Sequence, residues 1–383
     1  MPGKKILILG GGFGGAKAAI TARSLLPVEH EVTLIDRNAR TYVCGAMPLL
    51  IVGEREAEKT SRSLGRLAHR GVNFIQSEIK HLDLASKTVR TERGVLEYDY
   101  VIAGLGAEYN WDAVPGSRDA HSFYNIDGAR RLRRRLSRFR RGRIVIAVSS
   151  TPYKCPPAPY EAAMIMRWHF KRTGASKDVD IHVYTPEDAP LPVAGQSACE
   201  ELALAMAKRG ISFHPKAAVN EISKDGRSAA FTDGSSMDAD IVITIPAHRP
   251  ASVAVEASLT GGKPWVPVNP ATLETSMAGV FAIGDLNMVP MATGRPIPKA
   301  GVFASTEGDL TARVIASRIL GTEPPPAFPG EGLCYLAYSG TQSGSVSGRF
   351  LAPGRPDVKF TRPSVSGMRA KERFESDWRR FRI

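Results

Sequence analysis

The chain has 383 residues and a formal net charge of +13, and 43% of its residues are hydrophobic and 23% charged. This length exceeds one ordinary hydrophobic core and predicts two or three domains. No apolar run approaches the roughly twenty residues of a membrane-spanning helix, and none forms the core of a signal peptide. We therefore expect a cytoplasmic protein, or one peripheral on the membrane, or a periplasmic one if a leader was removed.

The N-terminal stretch predicts a dinucleotide-binding unit. A short apolar strand over residues 6–9 runs into the spacing Gly10-x-Gly12-x-x-Gly15, and a helix follows at once. In this context the first glycine allows a tight turn, the second lets backbone approach a pyrophosphate, and the third lets the helix pack on the strand. A second strand over residues 31–36 ends in Asp36, where an acid that binds the ribose is expected.

The rest of this unit is predicted from shorter patterns. We expect a helix over residues 61–70 and a strand over 97–107, which ends in small residues. Small residues permit close backbone approach to a bound dinucleotide. The residues expected to contact the dinucleotide in this part of the chain are Gly10, Gly12, Phe13, Gly15, Asp36, Arg37, Ala103 and Gly104.

A second strand–helix unit begins with an apolar strand over residues 143–148. Where a second phosphate loop needs glycines, the chain has Thr151-Pro-Tyr-Lys-Cys-Pro-Pro-Ala-Pro-Tyr-Glu161. Proline removes backbone donors and tyrosine adds bulk, so this loop cannot hold a pyrophosphate in the usual way. The next strand, over residues 180–185, is followed by Glu187, which we interpret as a relic of ribose binding.

The C-terminal half predicts a return to the first unit and then a separate tail. An amphipathic helix over residues 197–209 contains Cys199, and an apolar strand over 279–285 precedes a long helix that ends near residue 320. Proline-rich residues 322–329 mark a boundary. The tail is predicted as short strands and turns, and its aromatic residues Phe374, Trp378 and Phe381 form a face that docks on the protein body or on a membrane.

These patterns predict an α/β fold with two Rossmann-like domains and a small C-terminal region. The predicted divisions are 1–110 with 266–325 for the first domain, 111–265 for the second, and 326–383 for the C-terminal region.

Much of the positive charge lies in residues 130–141, which hold eight arginines. Leu132, Leu136 and Phe139 recur there at helical spacing. The favoured interpretation is a surface helix with one apolar stripe and a solvated basic face. An anionic membrane surface comes second, and nucleic acid third, because no recognised nucleic-acid motif accompanies the charge.

The cysteine pattern argues against a metal site. Cys44, Cys155, Cys199 and Cys334 form no Cys-x-x-Cys pair, whereas zinc and iron–sulfur sites use such pairs. We expect Cys199 to be a packing residue of its helix.

Taken together, these features resemble the group of sulfide:quinone oxidoreductases and flavocytochrome c sulfide dehydrogenases. The features that carry this resemblance are the glycine motif, Asp36, the strand before Gly284-Asp285, the later Pro298-Lys299-Ala300-Gly301, and the cysteines at 155 and 334. The resemblance implies FAD in the first domain, with Gly284 and Asp285 at its ribityl chain and Lys299 and Ala300 at its flavin end. It further implies that Cys44 is a position for covalent FAD attachment, with a buried residue or a free thiol as the alternatives.

The resemblance also implies the chemistry. Cys155 and Cys334 would form a redox-active pair that sulfide or polysulfide attacks, leaving a persulfide and a thiolate. Lys154 is a candidate for stabilising the thiolate. Glu161 is a candidate acid or base, or else a charge that complements the helix N-terminus.

The electron acceptor stays open between quinone and a cytochrome c, and quinone is favoured. Two further alternatives are an NAD(P)H:quinone reductase, which needs the missing glycine turn, and a basic flavoprotein that binds nucleic acid. No specific nucleic-acid partner is expected, and homo-oligomer formation stays open.

Overall fold

The computed structural model describes residues 3–381. Within them the α-helices, numbered α1 to α8 in chain order, are Phe13–Leu25, Met47–Leu50, Ile126–Arg138, Ala158–Arg172, Gln196–Ala207, Ser252–Glu256, Gly301–Leu320 and Val365–Arg379. The strands, numbered β1 to β24 in the same way, are Lys5–Leu9, Glu31–Asp36, Arg40–Tyr42, Ser61–Ser63, Asn73–Gln76, Ile79–Asp83, Thr88–Thr91, Gly94–Glu97, Tyr100–Ala103, Ala107–Asn110, Gly142–Val148, Val179–Tyr184, Ile211–His214, Val219–Ile222, Ser228–Phe231, Ser236–Asp238, Ile241–Ile245, Ala247–Pro250, Val266–Pro267, Val280–Ala282, Asn287–Met288, Glu331–Ala337, Ser343–Arg349 and Asp357–Ser364.

The first unit is a parallel sheet in the order β20-β9-β1-β2-β5. Residues Ile6 to Leu9 of β1 are at most 2% exposed, because α1 covers one face of this central strand and the β6–β7 hairpin with α6 covers the other. The strand order changes sides at β1, because β2 and β5 lie on one side of it and β9 and β20 on the other. In such a sheet the crevice beyond the carboxyl end of the strands at this point is the place for a ligand. β20 also belongs to this sheet, although it lies far along the chain, and its apolar residues pair with β9.

α1 and α7 pack side by side on this sheet at very short range. A Cβ atom added to Gly308 would lie 2.2 Å from the carbonyl oxygen of Gly14. Because both residues are glycines, the two helices can approach closely, and their N-terminal ends reach the same crevice.

The second unit is a parallel sheet in the order β13-β12-β11-β17. β11 holds the apolar run Ile144 to Val148, which is fully buried. α4 follows β11, as the strand–helix pattern predicts. The α/β fold with two Rossmann-like units and a small C-terminal region is confirmed.

The C-terminal region is an antiparallel sheet of β22, β23 and β24, followed by α8. Its strands are longer than the predicted short strands and turns. α8 buries Met368, Lys371, Glu375 and Trp378, so its inner face is packed on the protein body.

Two predicted elements are wrong in kind or extent. Instead of a helix over residues 61–70, Ser61–Ser63 pairs antiparallel with Arg40–Tyr42, and Leu64–Arg70 forms a 3₁₀-helix. Strand pairing takes the first residues, and Gly65 disfavours an α-helix in the rest. The strand predicted over 97–107 is too long. Only β9 forms within it, because Gly106 at φ +68° turns the chain into β10.

The predicted apolar stripe of the basic helix is confirmed in α3 and just beyond it. Leu132, Leu136 and Phe139 are buried. On the outer side, Arg130 pairs with Glu58 at 2.7 Å and Arg133 with Glu56 at 2.9 Å. Part of the basic face is thus neutralised by an acidic loop of the first unit.

Among the described residues, no helix combines the length and the apolar character needed to cross a bilayer.

Candidate functional site

The glycine loop has the backbone geometry of a phosphate cradle. Gly10 ends β1 at φ +99°, a conformation that favours glycine. A Cβ atom on Gly15 would lie 1.9 Å from the Gly10 carbonyl oxygen, whereas one on Gly12 would meet no atom of the described residues within 4 Å. Gly15 thus serves packing, and Gly12 leaves open space in front of the N-terminus of α1, where a pyrophosphate would lie.

Asp36 lies beside this loop. One carboxylate oxygen accepts a hydrogen bond from the Gly11 amide at 2.7 Å, and the other accepts one from the Asn38 amide at 2.7 Å. Arg37 is exposed just beyond it. Ala103 and Gly104 end β9 at the same edge of the sheet, where the Gly104 amide donates to Leu9 at 2.8 Å.

Phe13, the first residue of α1, faces the C-terminal helix rather than solvent. Its ring centroid is 4.8 Å from that of Trp378 and 6.3 Å from that of Phe374. Phe13 thereby links the glycine loop to α8.

A buried charged cluster lies where α7 begins. Lys299 donates through Nζ to the carbonyl oxygens of Asp285 at 2.7 Å and Asn287 at 3.1 Å, and lies 3.5 Å from the ring centroid of Trp265. Burial lowers the pKa of Lys299 to about 8, partly offset by Asp285 and Glu307. Burial also raises the pKa of Asp285, which Lys299 and Lys154 oppose.

Ala300 is the N-cap of α7 and Gly284, at φ +70°, opens the turn that carries Asp285. The end of β20 and the N-terminus of α7 thus meet at one edge of the crevice, as the sequence predicts. A partly positive helix N-terminus and a lysine here suit an electron-rich ring system.

Three of the four cysteines line one small cavity of about 60 Å³. Cys44 begins a 3₁₀ turn after β3, Cys155 belongs to the loop before α4, and Cys334 lies on β22. All three thiols are free in the structure. The cavity is lined by Phe13, Val43, Cys44, Gly45, Cys155, Pro157, Ala300, Gly301, Val302, Leu333, Cys334, Tyr335, Lys371, Phe374 and Glu375.

The loop holding Cys155 is fixed against the buried charged cluster at the start of α7. Cys155 has φ +54°, which is uncommon for a residue other than glycine. Its amide donates to the Lys299 carbonyl at 2.8 Å, and its own carbonyl accepts from the Ala158 amide at 2.9 Å. These bonds hold the sulfur beside the N-terminal ends of α4 and α7.

Burial favours the neutral form of the two free thiols at 155 and 334. Burial raises the pKa of Cys155 well above its usual range, and Cys44, Glu161 and Cys334 raise it further. Burial likewise raises the pKa of Cys334 to about 12. For both thiols, Lys371 acts in the opposite direction.

Glu161 is 1% exposed and lies on the first turn of α4. One carboxylate oxygen accepts from the Ala337 amide at 2.7 Å, while the other has no hydrogen-bond partner among residues 3–381. Burial raises its pKa. A buried, half-satisfied carboxyl group beside two thiols suits an acid or base better than a surface charge at a helix end.

Lys154 adjoins Cys155 in sequence, but its ammonium group lies elsewhere. Its Nζ is 4.7 Å from the ring centroid of Tyr109. It lowers the pKa of Cys44 and Asp285. The cation that faces Cys155 and Cys334 is Lys371 of α8, which the sequence prediction did not include.

The sequence prediction also missed an aromatic cluster beside Lys154. The Tyr109 and His248 ring centroids are 5.1 Å apart, and the Tyr109 hydroxyl donates to the Tyr124 carbonyl at 2.5 Å. Burial lowers the pKa of His248 to about 3, so its ring is neutral. These residues come from β10, β18 and the segment between them, and only the pairing of β10 with β18 brings them together.

Where the second unit lacks a phosphate loop, side chains of the proline-rich segment bind Glu187, and a cavity of about 450 Å³ lies beside them. Glu187, at the ribose-binding position after β12, accepts hydrogen bonds from the hydroxyls of Tyr153 at 2.7 Å and Tyr160 at 2.5 Å. The acid that would hold a ribose is therefore occupied by two tyrosines of the proline-rich segment. The lost glycines could be seen in the sequence, but this replacement could not.

Cys199 lies apart from the other cysteines. It is buried on α5, and its Sγ is 3.7 Å from the Leu191 carbonyl oxygen. Among the described residues, no group of three or more histidine, cysteine or acidic side chains could hold a metal ion.

Comparison with protein families gives one match that spans most of the chain. Residues 4–151 and 159–308 match the pyridine nucleotide-disulphide oxidoreductase family. The match is interrupted over residues 152–158, which hold Cys155 and the prolines around it. The chain departs from the family pattern where the second phosphate loop has been replaced.

Individual relatives are distant but extensive. The mouse mitochondrial sulfide:quinone oxidoreductase is 21% identical over 346 residues, covering 87% of this chain and 75% of that protein. A type II NADH:quinone oxidoreductase of Staphylococcus aureus is 24% identical over 350 residues, covering 85% of each.

Among solved structures, the sulfide:quinone oxidoreductase of Aquifex aeolicus superposes with a TM-score of 0.88 at 22% identity, covering 98% of this chain and 92% of that one. This likeness shows that the two chains share a fold over nearly their whole length.

Proposed function

The chain belongs to the pyridine nucleotide-disulphide oxidoreductase family, and on this basis we propose that it is a FAD-dependent oxidoreductase that oxidises sulfide and passes the electrons to a quinone. The observation that supports this most strongly is the placement of Cys155 and Cys334 on one small cavity. These cysteines lie far apart in sequence, and the loop of the first replaces the phosphate loop that NAD(P)H would need.

The residues present fit FAD. Gly10, Gly12 and Gly15 with the N-terminus of α1 would hold the pyrophosphate, and Asp36 the ribose. Asp285 would lie at the ribityl chain and Lys299 at the flavin end, beside the cysteine cavity. The chemistry that FAD supplies when bound is two-electron oxidation of the reduced sulfur centre.

The chain's own part begins with a disulfide between Cys155 and Cys334. Hydrosulfide attacks one sulfur, a new sulfur–sulfur bond forms, and the old bond breaks. One cysteine then carries the persulfide, and the other leaves with the electron pair as a thiolate. Glu161 lies close enough to both thiols to raise their pKa, so it can take up or return a proton there.

The sulfur site is shaped for a small substrate. A cavity of about 60 Å³ has room for hydrosulfide and a short sulfur chain. Its mostly apolar lining also suits polysulfide, which is weakly hydrated compared with oxygen anions.

The test is an anaerobic titration of the FAD-loaded protein with sulfide, monitored by flavin absorbance. We expect sulfide to bleach the flavin, and a short-chain quinone to restore its colour. Unchanged absorbance after excess sulfide would overturn the proposed substrate. If a cytochrome c restores the flavin colour and quinone does not, the electron acceptor is a cytochrome c, the alternative that the sequence left open.

Cys44 is the candidate for covalent FAD attachment, because its thiol lines the cavity beside the N-terminus of α7. Acid precipitation tests this directly: the pellet of the native protein is expected to stay yellow, and that of Cys44→Ser to lose its colour. A yellow Cys44→Ser pellet would exclude attachment at this residue.

A further inference from the structure

Lys371 is a buried lysine whose position neither the family match nor the proposed sulfur chemistry explains. It lies on the inner face of α8 and is 3% exposed. Its side chain lines the cavity that also holds Cys44, Cys155 and Cys334. Burying an ammonium group is costly unless opposite charge or hydrogen bonds compensate, so its neighbours need to be identified.

The compensation found in the structure is incomplete. Nζ donates to the Gly45 carbonyl at 2.8 Å, and this is the one acceptor within hydrogen-bond distance among residues 3–381. The carboxylates of Glu161 and Glu375 are farther, at 3.7 and 3.9 Å. A lysine ammonium has three donors, so two of them remain available to a group inside the cavity.

The two carboxylates also have nearer partners of their own. Glu375 is held by Arg55 at 2.8 Å. Glu161 accepts from the Ala337 amide at 2.7 Å. The ammonium is therefore balanced by ion pairs of 3.7 and 3.9 Å rather than by hydrogen bonds to either acid, and its charge also acts on the thiols.

The remaining charges near the thiols do not substitute for it. Lys154 lies against Tyr109 and acts on Cys44 rather than on the pair. Arg55 is engaged by Glu372 as well as by Glu375. Asp285 is an acidic residue that lies towards Cys44 and Lys299.

We infer that Lys371 is a positioning residue that stabilises the thiolate released when the Cys155–Cys334 disulfide is opened, so that the docked C-terminal helix forms part of the sulfur site. The inference rests on the proposed function. In that step hydrosulfide forms a bond to one cysteine sulfur, the disulfide bond breaks, and the electron pair stays on the leaving sulfur. A cation nearby lowers the energy of this anion, and no proton transfer is required.

The test measures thiol reactivity and does not depend on sulfide oxidation. The FAD-loaded protein is reduced with dithiothreitol, freed of it, and treated with iodoacetamide from about pH 6 to about pH 10. Because the pKa of both thiols is raised, the midpoint of the pH–rate profile is obtained by comparing the rate at each pH with that of a fully ionised thiol. Mass spectrometry reports the alkylation rate of Cys155 and of Cys334 separately.

Three variants of Lys371 are compared with an exposed-lysine control. Lys371→Met removes the charge, Lys371→Gln removes it but keeps a donor for the Gly45 carbonyl, and Lys371→Arg keeps it. Lys359→Met makes the same change at an exposed lysine on β24. We expect the midpoint of the pH–rate profile to rise by about one pH unit in the Met and Gln variants, since an opposite charge nearby shifts a pKa by about that much or more.

Rescue of the midpoint by Lys371→Arg, with Lys359→Met unchanged, would support the inference. An unchanged midpoint in folded Lys371→Met or Lys371→Gln would overturn it. A helix that merely loosened would admit water and lower the midpoint, so this opposite shift would also overturn it. If sulfide fails to bleach the flavin but the midpoint rises as expected, the proposed substrate is wrong while the thiolate role of Lys371 stands.

Discussion

At the residue scale, Glu307 is a buried carboxyl group outside the cysteine cavity with a strongly raised pKa. It is 1% exposed on α7, and its carboxylate accepts hydrogen bonds from the Gly284 amide at 2.5 Å and the Asn287 side chain at 2.9 Å. Burial raises its pKa to about 8 from an ordinary value of 4.5, although both hydrogen bonds and Lys299 oppose the rise. Glu307 thus joins the turn that carries Asp285 to α7.

The raised pKa predicts a pH-dependent stability. Folded protein binds more protons at Glu307 than unfolded protein between pH 4.5 and about 8. The stabilising effect of this protonation is complete below the unfolded pKa and is lost as the pH rises through the folded pKa. We expect Glu307→Gln to melt higher than the native protein at alkaline pH, by a few degrees, with the gap closing towards pH 5.

Thermal unfolding followed by circular dichroism across this range checks the prediction. Exposed Glu331→Gln is the control and should leave the curve unchanged. A gap of the same size at every pH would contradict the assigned protonation.

The cysteine pair gives the second prediction at this scale. Cys155→Ala and Cys334→Ala should each lower the rate of flavin bleaching by sulfide at least a hundredfold, because neither can form the disulfide that sulfide attacks. FAD content should stay near one per chain. Cys199→Ala, which changes a thiol buried away from the cavity, is the matched control. Normal turnover in either cavity variant would refute the dithiol mechanism.

At the element scale, Arg62 is one of the residues of the first unit that fasten α8. The guanidinium of Arg62 lies 4.0 Å from the ring centroid of Trp378 and 3.7 Å from that of Phe381. It also donates to the Trp378 carbonyl at 2.5 Å. Burial lowers the pKa of Arg62 to about 9, and this cost is offset by the two aromatic faces. The aromatic tail residues therefore dock on the protein body, one of the two predicted alternatives.

Removing the central aromatic ring should release the helix. Trp378 is 1% exposed, and truncating a buried tryptophan to alanine costs about 3–5 kcal/mol. We expect Trp378→Ala to lower the melting temperature and to make the C-terminal segment sensitive to limited proteolysis. Val365→Ala, at the 50% exposed start of the same helix, should change neither. Undiminished protease resistance in Trp378→Ala would show that α8 is held by other contacts.

At the scale of the whole molecule, two similar units have taken different roles. The first keeps an open glycine loop, whereas in the second Tyr153 and Tyr160 of the replaced loop donate to Glu187 beside a cavity of about 450 Å³. The same architecture thus holds a cofactor at one end and supplies a cysteine loop at the other. The NADH:quinone oxidoreductase alternative requires both loops to be open.

This division predicts which reductant the protein accepts. Excess NADH should leave the flavin absorbance unchanged under anaerobic conditions, because the ribose-binding carboxylate is already bound by two tyrosine hydroxyls. Sulfide should bleach it, and dithionite, which needs no binding site, should bleach it in every sample. Rapid bleaching by NADH would restore the alternative and overturn the interpretation of the second unit.

The sequence by itself determined what depends on neighbours along the chain. The strand–turn–helix with Gly10, Gly12 and Gly15, the apolar central strands and the loss of the second phosphate loop follow from local backbone requirements. Such features are encoded in consecutive residues and hold wherever the segment is placed. The two-unit α/β fold could therefore be predicted before any coordinates were known.

The tertiary structure alone decided which distant side chains meet. Lys154 adjoins Cys155 in sequence, yet Lys371 from the far end of the chain faces the thiols. Residues 64–70 form a 3₁₀-helix because the preceding residues pair with β3. These outcomes depend on how the faces of separate elements pack, and adjacency of two residues in sequence does not bring their side chains to the same site.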